Sequence, residues 1–525
     1  MALHFNLADL VEAAVDRVPE RRAVVTAART LTYAQLEDRA NRLADWMTDQ
    51  GIGAGDHVGC YMYNGTEFVE TMLAAFKLRA VPINVNYRYV EDELRYLFND
   101  ADLKAIVHDA EFRGRVDAVR DGVPTLRSSL EVGGASDDYE KALAQSSPER
   151  RSIERSDDDH YVIYTGGTTG MPKGVVWRQA DAFYACFGGG DYSRMRPVST
   201  PEEMAERMVP EPGLVFLPLA PLMHGAAQWT VFAWLMSGGT NVLTPSRPRT
   251  DYAEVWRLIT DEQVMILTII GDAVARPLID EYKAKPDRYD ASSLFTIGSG
   301  GAPLSAGGRA ELAATFPHVI LADGYGASET GAQASSMGDG RFSVFDNETL
   351  VLDPDTFVPV APGSGEQGRV ARRGHIPIAY YNDPEKTAAT FVERDGERWV
   401  LTGDVATVLD DGTIQLFGRG SMCINTGGEK VFPEEVEGVL VGHEHVYDAI
   451  VVGVPDDRWG ERVTAVVQRA PGALVTEDEL VSHCKTQLAG YKVPRSVVFV
   501  ESVQRSPVGK ADYAWAKQTA KEVSG

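Results

Sequence analysis

Short apolar runs rich in valine and isoleucine alternate along the whole chain with stretches whose apolar residues recur at helical spacing. The segments AAVDRVPERRAVVT, LTYAQLEDRANRLADWM, HVGCYMY and EFVETMLAAFKL illustrate the alternation, which predicts an α/β fold with mixed, largely parallel sheets layered with helices. Residues 213–245 carry no formal charge and are long enough to cross a bilayer. Pro218, Pro221, Gly225, Gly238 and Gly239 divide them into LVFLPL, APLMHG, AAQWTVFAWLMS and TNVL. These pieces read as buried strand, loop, helix and strand, because breakers this dense suit a protein core better than a spanning helix.

Two polar stretches interrupt the pattern. Residues 132–160, VGGASDDYEKALAQSSPERRSIERSDDDH, read as a surface connection leading into the strand YVIYT. Residues 188–213, GGGDYSRMRPVSTPEEMAERMVPEPG, read as a surface insertion, with a mobile cover at a ligand entrance as the alternative. Beyond Gly418 the character changes: LFGRGSMCINTGGEK is followed by FPEEVEGVL, HVYDAIVVGVP and ERVTAVVQRA, a compact α+β pattern. The expected organisation is a large domain over residues 1–418 and a small mobile domain over 419–525, with a hinge at the glycines around Arg419.

Bulk properties narrow the function. At 525 residues the chain is too long for one ordinary core. A net charge of −25 with no long basic run argues against a nucleic-acid surface, so an anionic substrate needs a locally built positive site. The four cysteines, Cys60, Cys186, Cys423 and Cys484, lie far apart, which fits a reducing cytoplasm and no zinc site. The N-terminus has acids where a signal peptide has a basic start, so a cytoplasmic protein without a transmembrane segment is expected.

The densest chemistry lies in YTGGTTGMPKGVVW, residues 164–177. Glycines free the backbone N–H groups to converge on an anion, threonine hydroxyls add donors, and Lys173 adds charge. The common nucleotide loop G-x-x-x-x-G-K-[ST] is absent, because Pro172 precedes the lysine and Gly174 follows it. Four further clusters are FTIGSGGAPLS, DGYGASETG, RWVLTGDVA and SPVGKADY. Singly, each has a plain reading: a strand-end turn, a helix start capped by Ser328, a hairpin acid and an exposed tail lysine.

Taken in order with PLMHG and GRGSMCINTGGEKVFPEEVE, these motifs resemble the core motifs of the adenylate-forming family over nearly the whole chain. The resemblance implies that a carboxylate attacks the α-phosphorus of ATP, pyrophosphate leaves, and the acyl-adenylate is passed to a thiol. It implies a phosphate loop of Thr165, Gly166, Gly167, Thr168, Thr169, Gly170 and Lys173. Gly301, Ala302 and Pro303 would border the adenine and Tyr325 would stack on it, within the nucleotide-binding run Asp323, Gly324, Tyr325, Gly326 and Ser328. Glu329 would hold Mg²⁺, Asp404 would bind the ribose hydroxyls and Arg419 would assist. Lys510 is the implied catalytic lysine, reaching the carboxylate and α-phosphate on the mobile domain. Rotation of that domain would bring Thr426, Gly427, Gly428 and Glu429 to the site for the second half-reaction. His224, Trp229 and Gly300 are assigned to the acyl pocket, with no acid–base role.

Departures from the family pattern are Gly166, where most relatives carry serine, and the hinge, where Ser421 and Met422 replace charged residues. No carrier-domain signature follows Lys510, so free coenzyme A is the expected acceptor, and a homodimer is one of the assemblies allowed. The likeness is greatest to bacterial ligases of fatty acids and sterol side chains, which points to a medium- or long-chain or sterol-derived acid. Alternatives are an aryl or short-chain acid CoA ligase and a stand-alone adenylation enzyme serving a carrier protein. A kinase would instead release ADP, and a scaffold would show no turnover.

Overall fold

The structure is a computed structural model that describes residues 3–524 apart from 168–169, 192–195, 209–212, 245–249, 303, 339, 420–421, 427–428, 457–459 and 506–510. The strand HVGCY, His57–Tyr61, is buried along its whole length, as a parallel strand covered on both faces must be. It lies in an all-parallel sheet in the order Val81–Asn84, His57–Tyr61, Leu103–Asp109, Ser128–Val132. A second sheet has 14 strands. Its parallel centre runs Arg22–Val25, Thr240–Val242, Val215–Pro218, Ile266–Ile269, Thr296–Gly300 and Ile320–Ala327, and it turns antiparallel beyond. The expected mixed sheets with intervening helices are therefore present.

Two smaller sheets complete the set. His160–Gly167 and Gly170–Arg178 form an antiparallel hairpin, with Ala379–Tyr380 added to its edge. The strands Ile424–Thr426, Glu429–Val431, Val446–Asp456, Gly460–Arg469 and Ser496–Val500 make a five-stranded sheet of their own. It meets the rest of the chain at the helix Gly271–Ala284, where the Arg276 guanidinium donates to the Val446 carbonyl at 3.3 Å and lies 5.1 Å from the centre of the Tyr447 ring.

The uncharged segment resolves as its breakers predict, into the strand Val215–Pro218, the helix Gly225–Met236 and the strand Thr240–Val242. Because that helix is apolar on all sides it can only sit inside the protein, and it packs with Leu7–Arg17 and Thr66–Lys77 in the largest core. No helix among the described residues is long and apolar enough to cross a membrane.

Both polar stretches lie largely at the surface, as read from the sequence, but each contains a helix and buried anchors that composition does not show. Residues 132–160 contain the helix Asp138–Gln145, whose Tyr139 is buried and donates to Glu70 at 2.7 Å. Arg155 is also buried, paired with Asp9 and Glu12 of the helix Leu7–Arg17. Lys77 joins the same cluster through Glu12 at 2.5 Å and Glu37 at 2.7 Å. Burial opposes ionisation of Glu12, but Lys77 and Arg155 outweigh it and hold its carboxyl below the ordinary range. In residues 188–213, Thr200 caps the helix Pro201–Glu206, and Val198 and Met204 are buried, so a stretch whose described residues are mostly exposed or half-buried is anchored to the core at those two side chains.

Removing one member of a dehydrated ion cluster leaves its partners uncompensated, at a cost of about 3 kcal/mol. Lys77→Met is expected to lose that much stability in a urea titration at pH 7 followed by tryptophan fluorescence. A loss below about 0.5 kcal/mol would mean that Arg155 satisfies Glu12 and Arg150 satisfies Glu37 without Lys77.

Candidate active site

The motif around Lys173 occupies the tip of the hairpin, with Thr165 directly opposite Lys173 and Gly167 opposite Gly170. The sequence places this loop at the carboxyl end of a strand; the strand is antiparallel, not part of a doubly wound sheet. Gly174 is required there, because a Cβ would sit 2.7 Å from the Tyr164 ring. Tyr164 is fastened in turn: its hydroxyl donates to Asp100 at 2.7 Å, and its backbone N–H and C=O are both held by the Asn84 amide at 2.8 Å. The same amide donates to the Met223 carbonyl at 2.6 Å. Asn84 thereby fixes the phosphate motif to the PLMHG motif, a role that nothing in PINVNY signals.

Glu329 lies in the turn between the antiparallel strands Ile320–Ala327 and Gly331–Ser336. The segment GYGASET is thus strand and hairpin rather than the capped helix start of its plain reading. The turn is clamped from both sides. Trp177 donates through its indole N–H to the Ser328 carbonyl at 3.1 Å, and a Cβ on Gly331 would fall 2.5 Å from the Ala185 carbonyl oxygen. This clamping brings Lys173 and Glu329 together, with Nζ 2.9 Å from Oε1. Tyr380 completes the cluster: its hydroxyl accepts from Lys173 at 2.7 Å and donates to the same Glu329 oxygen at 2.8 Å. Burial works against the Glu329 charge, yet Lys173 and the two hydrogen bonds prevail and hold its carboxyl below the ordinary range.

On the large sheet, Gly300 stands beside Gly324 and Ser299 beside Asp323 in parallel register. Gly301 follows with φ of +79°, a left-handed conformation natural to glycine, and carries the chain into Ala302. Tyr325 donates its hydroxyl to Asp404 at 2.7 Å, and Asp404 is the register partner of Arg419. Three residues assigned from separate motifs to adenine and ribose are thus adjacent. Asp323 is paired with Arg309, which makes it a braced wall of the site.

His224 is the N-cap residue of the helix Gly225–Met236, and Trp229 lies one turn in, almost fully buried. Glycine at 225 lets the indole close onto the backbone, since a Cβ there would meet the Trp229 ring at 3.1 Å. Beside Trp229 lies a cavity of about 70 Å³, bounded by Ala233 and Trp234 of the same helix and by Cys186, Phe187 and Gly188 opposite. Gly188 carries positive φ with nothing within 4 Å of a would-be Cβ, so the wall there is bare backbone.

Thr426 is buried and sits opposite Glu429 in the hairpin Ile424–Thr426/Glu429–Val431. Thr168, Thr169, Pro303, Ser421, Gly427, Gly428 and Lys510 lie outside the described residues. Near Lys510, Arg505 and Ala511 form an antiparallel bridge, and Arg505 grips Asp448 through two nitrogens at 2.7 and 2.6 Å. Sequence reasoning missed Tyr380 and Asn84. For Tyr380 a signal was at hand in YYNDPEKT, an aromatic pair just before a helix that Asp383 caps and Pro384 opens.

Comparison with known proteins gives the family and the fold. Residues 11–381 match the AMP-binding enzyme family and residues 435–510 its C-terminal domain. The chain is 46% identical over 534 residues to a 3-oxocholest-4-en-26-oate--CoA ligase of Rhodococcus rhodochrous, covering 98% of this chain and 95% of the relative. It is also 46% identical to a medium/long-chain-fatty-acid--CoA/3-oxocholest-4-en-26-oate--CoA ligase of Mycobacterium tuberculosis H37Rv, covering 99% and 96% of the two chains. ATP-bound MatB from Rhodopseudomonas palustris superposes over 100% of both chains with a TM-score of 0.86 at 26% identity.

A carboxyl whose pKa is lowered by folding contributes stability above its ordinary value and loses it as pH falls through the folded one. For Glu329 that window lies below about pH 4.3. The stability gap between the protein and Glu329→Gln, about 1 kcal/mol at pH 7 for a half-buried pair, should therefore hold down to about pH 5 and narrow progressively on further acidification in urea titrations. A gap independent of pH would mean that the carboxylate charge contributes nothing.

Proposed function

We propose that this chain, which belongs to the AMP-binding enzyme family, joins a bulky apolar carboxylic acid to coenzyme A through an acyl-adenylate. The observation that carries the reading is the meeting of Lys173 and Glu329 at 2.9 Å, because a triphosphate needs a cation and a metal-holding carboxylate at one point. A carboxylate is a poor electrophile. Its oxygen attacks the α-phosphorus, the α–β phosphoanhydride bond breaks, and pyrophosphate departs with the electron pair. The thiol of coenzyme A then attacks the acyl carbon and AMP leaves.

The residues divide this work by position. Thr165 and Lys173 face the β and γ phosphates from the hairpin tip, while Tyr325, Asp404 and Arg419 hold adenosine. Glu329 suits magnesium: it is an ionised oxygen donor, and no cluster of three or more His, Cys, Asp or Glu side chains that could hold a metal occurs among the described residues. That fits an ion bound by one carboxylate together with substrate phosphates. Magnesium, when bound there, would neutralise phosphate charge and orient the leaving pyrophosphate. Lys510 serves the first half-reaction, and the stretch from Thr426 to Glu429 the second. The division at residue 419 is supported by the strand Ile414–Arg419, which pairs in the large sheet, and by Ile424–Thr426, which pairs in the five-stranded one. Four cysteines, none in a disulfide, support a reducing compartment such as the cytoplasm.

The acid is read from the relatives' printed substrates; the cavity of about 70 Å³ beside Trp229 could receive only a small part of such an acid. A panel of acids, scored for CoA-dependent AMP release, should favour medium- and long-chain or sterol-derived acids over acetate and benzoate by about tenfold or more in kcat/KM. Filling the cavity with Ala233→Trp should erase a small part of that preference, whereas a wild-type preference for acetate or benzoate would sink this substrate assignment. Lys510→Ala should slow adenylate formation by about a hundredfold or more while leaving thioester formation from supplied acyl-adenylate within about threefold. Equal loss of both half-reactions would contradict the division of labour.

A further inference from the structure

We infer that Tyr380 is a positioning residue for the metal step, a fixed hydroxyl that keeps the Glu329 carboxylate aimed after Lys173 has left it for the phosphates. The inference rests on reading Glu329 as the magnesium carboxylate. Three polar groups share one small volume: Lys173 to Glu329 at 2.9 Å, Lys173 to the Tyr380 hydroxyl at 2.7 Å, and that hydroxyl to Glu329 at 2.8 Å. Two of the three have work elsewhere when nucleotide arrives. Lys173 turns to the triphosphate, and Glu329 then faces the metal without its counter-ion. The contact that remains to Glu329 within the cluster is the Tyr380 O–H.

Tyr380 is built to stay. Its strand pairs with the hairpin, Tyr380 opposite Val175, and the next residue donates its N–H to the Gly174 carbonyl at 2.7 Å. The Tyr380 N–H is held by the Thr387 hydroxyl at 2.9 Å, and its ring packs 5.5 Å from that of Phe391. Tyr381 ties the same corner to Asp102 at 3.0 Å. The phenol is therefore rigid while its two partners exchange ligands. A phenol hydroxyl is a hydrogen-bond donor, and this one donates to the Glu329 carboxylate. A lone carboxylate free to rotate would offer the metal a poorer target than one held by a hydrogen bond.

The test is equilibrium binding of α,β-methylene-ATP by calorimetry, in magnesium and in EDTA, to the full chain and to Tyr380→Phe and Glu329→Gln. For Tyr380→Phe the gain in affinity that magnesium brings should fall by about tenfold, the worth of one hydrogen bond to a charged group. Binding in EDTA should stay within about twofold and the melting temperature should hold, because the ring remains. An undiminished magnesium gain would overturn the inference. So would equal weakening in magnesium and EDTA, or weakening accompanied by a lower melting temperature, since each marks a merely structural tyrosine. Glu329→Gln reports separately: if it keeps the full magnesium gain, the metal reading of Glu329 fails whatever Tyr380 does.

Discussion

The ion pair between Lys173 and Glu329 joins the tips of two hairpins that belong to different sheets. One tip comes from the small antiparallel sheet, the other from the middle of the 14-stranded one, where it turns antiparallel. Neither could be placed by its own strands alone, because a hairpin tip carries no tertiary contacts of its own to define its direction. The definition comes from neighbours: Asn84 and Asp100 hold Tyr164 behind one tip, while Trp177 and Ala185 confine the other. The site is thus rigid at its roots and charged at its meeting point, which suits a pair that must open for a triphosphate and close again.

The same economy governs the acyl side. Asn84 spends its amide on both the phosphate hairpin and the Met223 carbonyl, one residue before His224. A displacement of the hairpin is transmitted through that amide to the start of the helix Gly225–Met236, whose Trp229 borders the cavity. The hairpin of Lys173 and the helix that borders the cavity are therefore tied together by two short hydrogen bonds from one amide.

Much of this was legible in the sequence, for physical reasons that differ by element. The segment 213–245 could be divided correctly because prolines and glycines are hard constraints on the backbone. Lys173, Glu329, Tyr325 and Asp404 could be found because their chemistry is written in motifs, and the structure brings them together in two pairs. Tyr380 was harder to find: YYNDPEKT marks the corner before a capped helix, but its meeting with Lys173 depends on a two-residue strand pairing that no local pattern shows. Residues 132–160 misled for the opposite reason. Their charges look like those of a solvated linker, but Arg155 is paired with Asp9 across 146 residues of chain, and a composition reading is blind to such pairing.

The buried cluster of Asp9, Glu12, Lys77 and Arg155 also sets a timetable. A chain leaving the ribosome N-terminus first presents two carboxylates long before either cation exists. Glu12 can pair with Lys77 as soon as the helix Thr66–Lys77 is made, but Asp9 gains its buried cation only when Arg155 has emerged, and taking it out of water sooner would leave it unpaired. The first helix of this protein is accordingly sealed only once the chain has grown past residue 155.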